Sequence, residues 1–179
     1  MSELKERAEI YAAEKMNELM AKAIAQAYVD GYRNGYNDRD CQITKEDIDV
    51  HDLGLPSGTL WKNANEGGDS TLYTYDEAVS MFGEKLPTLE QLEELDNECT
   101  WTWTGHGYKV TGSNGNSIYL PAAGYRYCDG DVGYVGAYGY YWSSTPIDSE
   151  NAQHLYFNSL VVYVVNLPRC TGQSVRLVQ

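Results

Sequence analysis

Three histidines, four cysteines, a run of hydroxyls and the aspartates of Asp129-Gly130-Asp131 are the residues here whose chemistry could go beyond packing. His51, His106 and His154 are far apart and lack the spacing that builds a zinc site on one element. Cys41, Cys99, Cys128 and Cys170 form no CxxC pair, so reduced thiols are the expectation for a chain made in a reducing compartment. Ser143-Ser144-Thr145 offers hydroxyls, but no His/Asp pair can be set beside them, so no triad is supported. Asp129-Gly130-Asp131 could place two oxygens near a calcium ion; a tight acidic turn is the commoner explanation. The glycines from Gly133 to Gly139 precede no Lys-Ser/Thr helix and read as turns carrying aromatics rather than a phosphate loop. The expectation is a protein with no catalytic residues, no metal and no cofactor.

Charge and composition narrow the partners. A formal net charge of −13 argues against nucleic acid, whose binding rests on Lys and Arg neutralising phosphates, and against an anionic membrane surface. No run approaches transmembrane length, and the first residues, MSELKERAEIYAAEK, lack a signal-type apolar core, which predicts synthesis in a cytosol. Tyrosine is the outlier, with sixteen residues against two Phe. Tyr joins apolar area to a polar tip at low rotamer cost, which suits a ligand-reading surface and equally a Tyr-rich all-β core.

The elements that must position these residues fall into three stretches. Residues 1–40 read as an amphipathic helix in which Ala12, Met16, Leu19, Ala23 and Ala27 share a face. Such a helix either packs on its own domain or serves attachment and oligomerisation. Residues 41–51 are polar and acidic, a linker. From residue 52 onward, two capping boxes, Thr74 to Glu77 and Thr88 to Gln91, open short helices. After Trp101 the chain is β, with a hairpin signal at Gly112-Ser113-Asn114-Gly115-Asn116. The pattern is α+β, with two helices ahead of antiparallel strands. The run Leu160 to Pro168 is Leu, Val, Val, Tyr, Val, Val, Asn, Leu, Pro, without strand alternation. It is buried on both faces or it displays apolar side chains outward.

Five ordered motifs carry a resemblance. They are Asp52-Leu53-Gly54-Leu55-Pro56-Ser57-Gly58-Thr59-Leu60-Trp61, Leu86-Pro87-Thr88, Leu120-Pro121-Ala122-Ala123-Gly124-Tyr125-Arg126, Gly139-Tyr140-Tyr141-Trp142-Ser143-Ser144-Thr145 and Ser174-Val175-Arg176-Leu177-Val178. Together they resemble the major paralogous domain of gut-bacterial and phage proteins, and the C-terminal arrangement is similar to the variable proteins of diversity-generating retroelements. The resemblance implies a C-type-lectin-like fold of the formylglycine-generating-enzyme type over residues 52–179, preceded by the N-terminal helix. It also implies a variable segment at about residues 147–171, because template asparagine codons become codons ending in a pyrimidine. Those codons cannot encode Lys, Glu, Gln, Met or Trp, and none of these occurs between His154 and Thr171.

The ligand-binding, diversified positions implied are His154, Tyr156, Leu160, Val162, Tyr163, Val165, Asn166, Leu167, Pro168, Cys170 and Thr171. Trp142 and Arg176 would be scaffold. The function implied is a non-enzymatic, hypervariable receptor-binding protein. Its partner would be a protein or glycan receptor, with no nucleic acid and no membrane insertion. The N-terminal helix would join copies into a homo-oligomer or dock on a virion carrier, and display would be on a virion or cell surface. An invariant adhesin module is the alternative. Calcium-binding lectin triplets are absent from the sequence, so sugar chelation is not implied. The paired catalytic cysteines of the oxidases cannot be identified among the four present, which leaves an oxidase of the formylglycine-generating type as the third and least favoured reading.

Overall fold

The computed structural model describes residues 50–179; the N-terminal helix expected at 1–40 and nearly all of the 41–51 linker lie outside the described residues. The linker's last residues, Val50 and His51, belong to a strand.

Strands β1 (Val50–Asp52) and β2 (Leu60–Lys62) pair antiparallel. Helix α1 (Tyr75–Phe82) starts where Thr74 accepts the Glu77 N–H and Glu77 reaches back to the Thr74 N–H. Helix α2 (Leu89–Glu98) starts the same way, with Thr88 and Gln91 exchanging bonds. Each box satisfies otherwise orphaned N–H groups, which is why these short segments hold as helices. Leu92 and Leu95 turn inward from α2 while Glu90 and Glu93 stay exposed.

Eight further strands follow: β3 (Thr100–Trp103), β4 (Gly107–Thr111), β5 (Ser117–Pro121), β6 (Tyr125–Arg126), β7 (Val132–Gly133), β8 (Gly139–Pro146), β9 (Asn151–Phe157) and β10 (Val162–Pro168). They form a β3-β4-β5 meander, a β6-β7 ribbon and a β10-β9-β8 sheet, with all strand pairings antiparallel. This corrects the α+β, C-type-lectin-like expectation. The described residues are mostly strands in small antiparallel sheets, with two helices of 8 and 10 residues. The capping boxes mark real helices, but ones too short to form a layer of their own.

The C-terminal residues form a buried seam held by single bridges rather than a continuous strand. Single bridges tie Gly172 to Arg126, Gln173 to Tyr73, Ser174 to Tyr141 and Val178 to Trp61. Leu60 and Gln179 exchange backbone bonds at 3.0 and 2.9 Å. Arg176, 2 % exposed, donates from Nε and Nη2 to Asn65 Oδ1 (3.0 and 2.7 Å), from Nη1 to the Lys62 carbonyl (3.0 Å) and from Nη2 to the Tyr119 carbonyl (2.8 Å). One guanidinium thus joins β2, the loop after it and β5.

Two apolar clusters share this seam, Val178 belonging to one and Val175 and Leu177 to the other. The larger joins Leu53, Trp61, Leu92, Leu95, Leu155 and Phe157 with neighbours from the meander; the smaller gathers Tyr75, Ala78, Leu86, Trp142, Val175 and Leu177. Trp142, fully buried, donates from Nε1 to the Tyr73 carbonyl at 2.8 Å and meets Tyr75 edge-on. Gly139 is the residue that lets Phe157 into the core: a Cβ there would overlap the Phe157 ring.

Candidate functional site

Strand β10 has two unlike faces, and register fixes which residues share each. Val162 lies opposite Phe157 and Val164 opposite Leu155, and both valines pack against the larger core cluster. Tyr163, Val165 and Leu167 lie opposite Tyr156, His154 and Ala152 on the other face. Tyr163 is 44 % exposed; Val165 and Leu167 are half-buried. The run Leu160 to Pro168 is therefore not buried on both faces. It lacks alternation because one face meets the core while the other displays apolar side chains.

That outer face continues into an array of tyrosines. Tyr163 and Tyr156 rings are 5.0 Å apart, Tyr156 and Tyr140 5.2 Å, and Tyr156 and Tyr138 5.7 Å. Tyr138 stacks on Tyr134 at 4.6 Å, and Tyr125 bridges Tyr140 (4.7 Å) and Tyr127 (4.5 Å). Tyr134 is the prominent member, 48 % exposed and held at φ 61°. A left-handed residue with a side chain costs about 1–2 kcal/mol. Its carbonyl accepts the N–H groups of Ala137 and Tyr138 (both 3.0 Å), and stacking against Tyr125 and Tyr138 fixes the ring. Strain of this sort is tolerated where surroundings over-determine it, and it concentrates at binding sites.

Four hydroxyls of this array, those of Tyr127, Tyr134, Tyr140 and Tyr156, are held protonated. Burial raises the Tyr140 and Tyr156 phenols above their usual range, and bonding among the phenols themselves raises Tyr127 and Tyr134. Protonated phenols both donate and accept, beside flat apolar rings. The Tyr156 hydroxyl is oriented by the Asn158 amide, which donates to it at 2.8 Å.

The sequence-predicted positions separate into three groups. Leu160, at the hairpin tip and 86 % exposed, joins Tyr163, Asn166 and Pro168 as open to solvent, with Tyr156, Val165 and Leu167 half-open beside them. Val162 faces the core. His154, Thr171 and Cys170 need correction as free ligand contacts. His154 is fully buried between Tyr140 and Trp142, with neither ring nitrogen partnered among the described residues, and burial pushes its pKa down to about 3. Thr171 is buried and donates to the Pro168 carbonyl at 2.7 Å. Cys170 is joined to Cys128, which corrects the expectation of reduced thiols. The two lie 42 residues apart in sequence, but reciprocal 2.8 Å backbone bonds between Arg126 and Gly172 bring their segments together, with Cα atoms 5.1 Å apart.

Tyr125, Tyr127, Tyr134, Tyr138 and Tyr140 were not marked by sequence reasoning as site residues. The available signal was the clustering of aromatics between Gly124 and Tyr141. Arg169 was missed as well: its guanidinium pairs with Asp76, lies 4.7 Å over the Tyr75 ring and donates to the Asp148 carbonyl at 3.3 Å. The Asp129 carboxylate accepts the Asp131 N–H at 3.3 Å, closing the acidic turn on itself.

Residues 108–178 match a family model described as a domain of unknown function, DUF8237. The match runs from β4 through the seam and so contains every member of the tyrosine array. No curated protein and no solved structure matches the chain.

Proposed function

We propose that this chain is a non-enzymatic binding protein. The outer face of β10, with the tyrosine array beside it, meets a protein or glycan receptor, and a retroelement diversifies the side chains displayed there. The observation that carries the reading is the division of labour across one hairpin. Val162, Val164, Leu155 and Phe157 hold the fold from one side, while Tyr163, Val165 and Leu167 stand on the other. Side chains on a face so anchored can change without emptying the core. Protonated phenols on rigid rings supply the contact area and hydrogen bonding that recognition surfaces use. The disulfide supports display in oxidising surroundings, on a virion or a cell surface. The N-terminal segment would attach or multimerise the module.

Sequencing the encoding locus tests diversification directly. The expected finding is a near-copy of the gene's 3′ end beside a reverse-transcriptase gene, differing at adenines within the codons for residues 154–171. A locus with no such copy would sink it. An invariant adhesin module is the second reading, favoured by Cys170 and Thr171, whose disulfide and burial tie them to one residue type each. Homologous copies from one population, identical over residues 154–171, would support that reading instead.

A further inference from the structure

The two borders of the β10-β9-β8 sheet are treated differently. The β8 border is closed: Trp142 donates to the Ser174 carbonyl (3.1 Å), Ser174 donates to the Tyr140 carbonyl (3.0 Å), and Ser144 donates to the Pro87 carbonyl (2.7 Å). Among the described residues no strand pairs with the β10 border, although α2 lies against β10. Asn158 donates to the Val161 carbonyl at 3.0 Å, and Arg169 donates to the Glu150 carbonyl at 2.8 Å. These two bonds fix the alternation, so that Tyr163, Val165 and Leu167 exchange backbone bonds with β9. The N–H and C=O groups of Val162, Val164 and Asn166 then point away from β9, and among the described residues nothing pairs with them.

An open border is normally blunted by Lys, other charges, or a covering segment. Here the stretch from Leu160 to Pro168 carries no charge. Three of its side chains, Leu160, Val161 and Tyr163, are among the exposed large hydrophobics.

We propose that β10 pairs antiparallel with β10 of a second copy of this chain, about a two-fold axis at Val164. The sequence complements itself in this register. Val164 meets Val164, Val162 meets Asn166, Tyr163 meets Val165, Val161 meets Leu167 and Leu160 meets Pro168. The outward groups are the ones this register needs: Val164 pairs with its own copy, and the two Val162–Asn166 pairings each exchange two main-chain bonds. Aromatic and β-branched residues fall opposite one another at Tyr163 and Val165, a favourable cross-strand pair. A foreign strand would need to match this run; a second copy does so by construction. The result is a six-stranded sheet in which both tyrosine faces look the same way. Two copies of a chain with net charge −13 repel one another, so association strengthens with added salt.

The test uses the full chain in two single-cysteine additions, Tyr163→Cys and Val165→Cys, alone and mixed, under mild oxidation. Directly opposite Cα atoms in a non-hydrogen-bonded pair are about 4.5 Å apart, within disulfide reach, whereas each residue is offset from its own copy. The mixture is expected to form a covalent dimer at least about tenfold faster than either variant alone. Unmodified chain is expected to be dimeric by light scattering, more so at high salt, and Asn166→Pro, which removes one outward N–H, to weaken the dimer about tenfold or more. Equal cross-linking in all three samples, or a monomer at every concentration and salt, overturns the proposal. If Asn166→Pro fails to fold, the cross-linking arm still decides.

Discussion

Replacing His154 by leucine isolates the cost of burying an imidazole without a partner. The ring sits fully buried between Tyr140 and Trp142, its two nitrogens unbonded among the described residues, and burial lowers its pKa to about 3. An unfolded chain carries this histidine at about 6.5. The folded state therefore refuses a proton that the unfolded state accepts, and stability falls as pH drops from the unfolded value toward the folded one. Between pH 7 and pH 4 the linkage amounts to roughly 3 kcal/mol. Carboxylates titrate over the same range, but they are common to both proteins and cancel in the difference. Urea unfolding of the unmodified chain and His154→Leu at the two pH values, disulfide intact, gives four free energies. The expected double difference is about 3 kcal/mol, the variant being the less pH-sensitive. At pH 7 the variant should be as stable or more so, because two desolvated ring nitrogens are removed. Equal acid sensitivity in the two proteins would refute the reasoning, since it would mean that the ring takes up a proton in place.

The two faces of the β9–β10 hairpin should respond differently to truncation: Tyr163→Ala is expected to cost under about 1 kcal/mol, and Phe157→Ala about 3–5 kcal/mol, by denaturant unfolding. Arg176→Met leaves the Asn65 side chain and the Lys62 and Tyr119 carbonyls short of a donor, and should lower stability by about 3–5 kcal/mol. Retention of a normal melting temperature in that variant would show that the seam closes without its guanidinium. Cys170→Ser opens a 42-residue crosslink and should cost about 4 kcal/mol on the chain-entropy model, read as the same shift on adding reductant to the unmodified chain.

Local signals in the sequence proved more readable than long-range ones. Both capping boxes can be read from four residues each, and the helices begin where those residues place them. The β4–β5 hairpin is legible because its turn residues lie between its strands. The fold class was not legible, because much of it rests on two-residue strands and single bridges between distant segments, such as Trp61 with Val178. The unalternating run at Leu160 predicted an unusual strand without saying which face was open. That depended on Phe157 and Leu155 claiming one side of the sheet. His154 sits among residues of a partly exposed strand pattern, and only the approach of Tyr140 and Trp142 reveals its burial. The Cys128–Cys170 bond was hidden for a similar reason, since what aligns the two cysteines is the pairing of Arg126 with Gly172.

The seam from Gly172 to Gln179 has a consequence for the gene as well as the fold. Synthesised after everything else in the described domain, it bonds to Leu60, Lys62, Tyr73, Lys85, Arg126 and Tyr140. Each of those segments lacks these bonds until it arrives. An insertion or deletion that shifts the reading frame anywhere in the codons for β8, β9 or β10 replaces this segment wholesale. The buried Arg176 is then lost, and its three oxygen acceptors on Lys62, Asn65 and Tyr119 lose that donor. Substitutions of Tyr163, Val165 or Leu167 leave this seam in place, whereas errors of frame do not. The seam is thus complete only when the codons of the preceding strands are in frame.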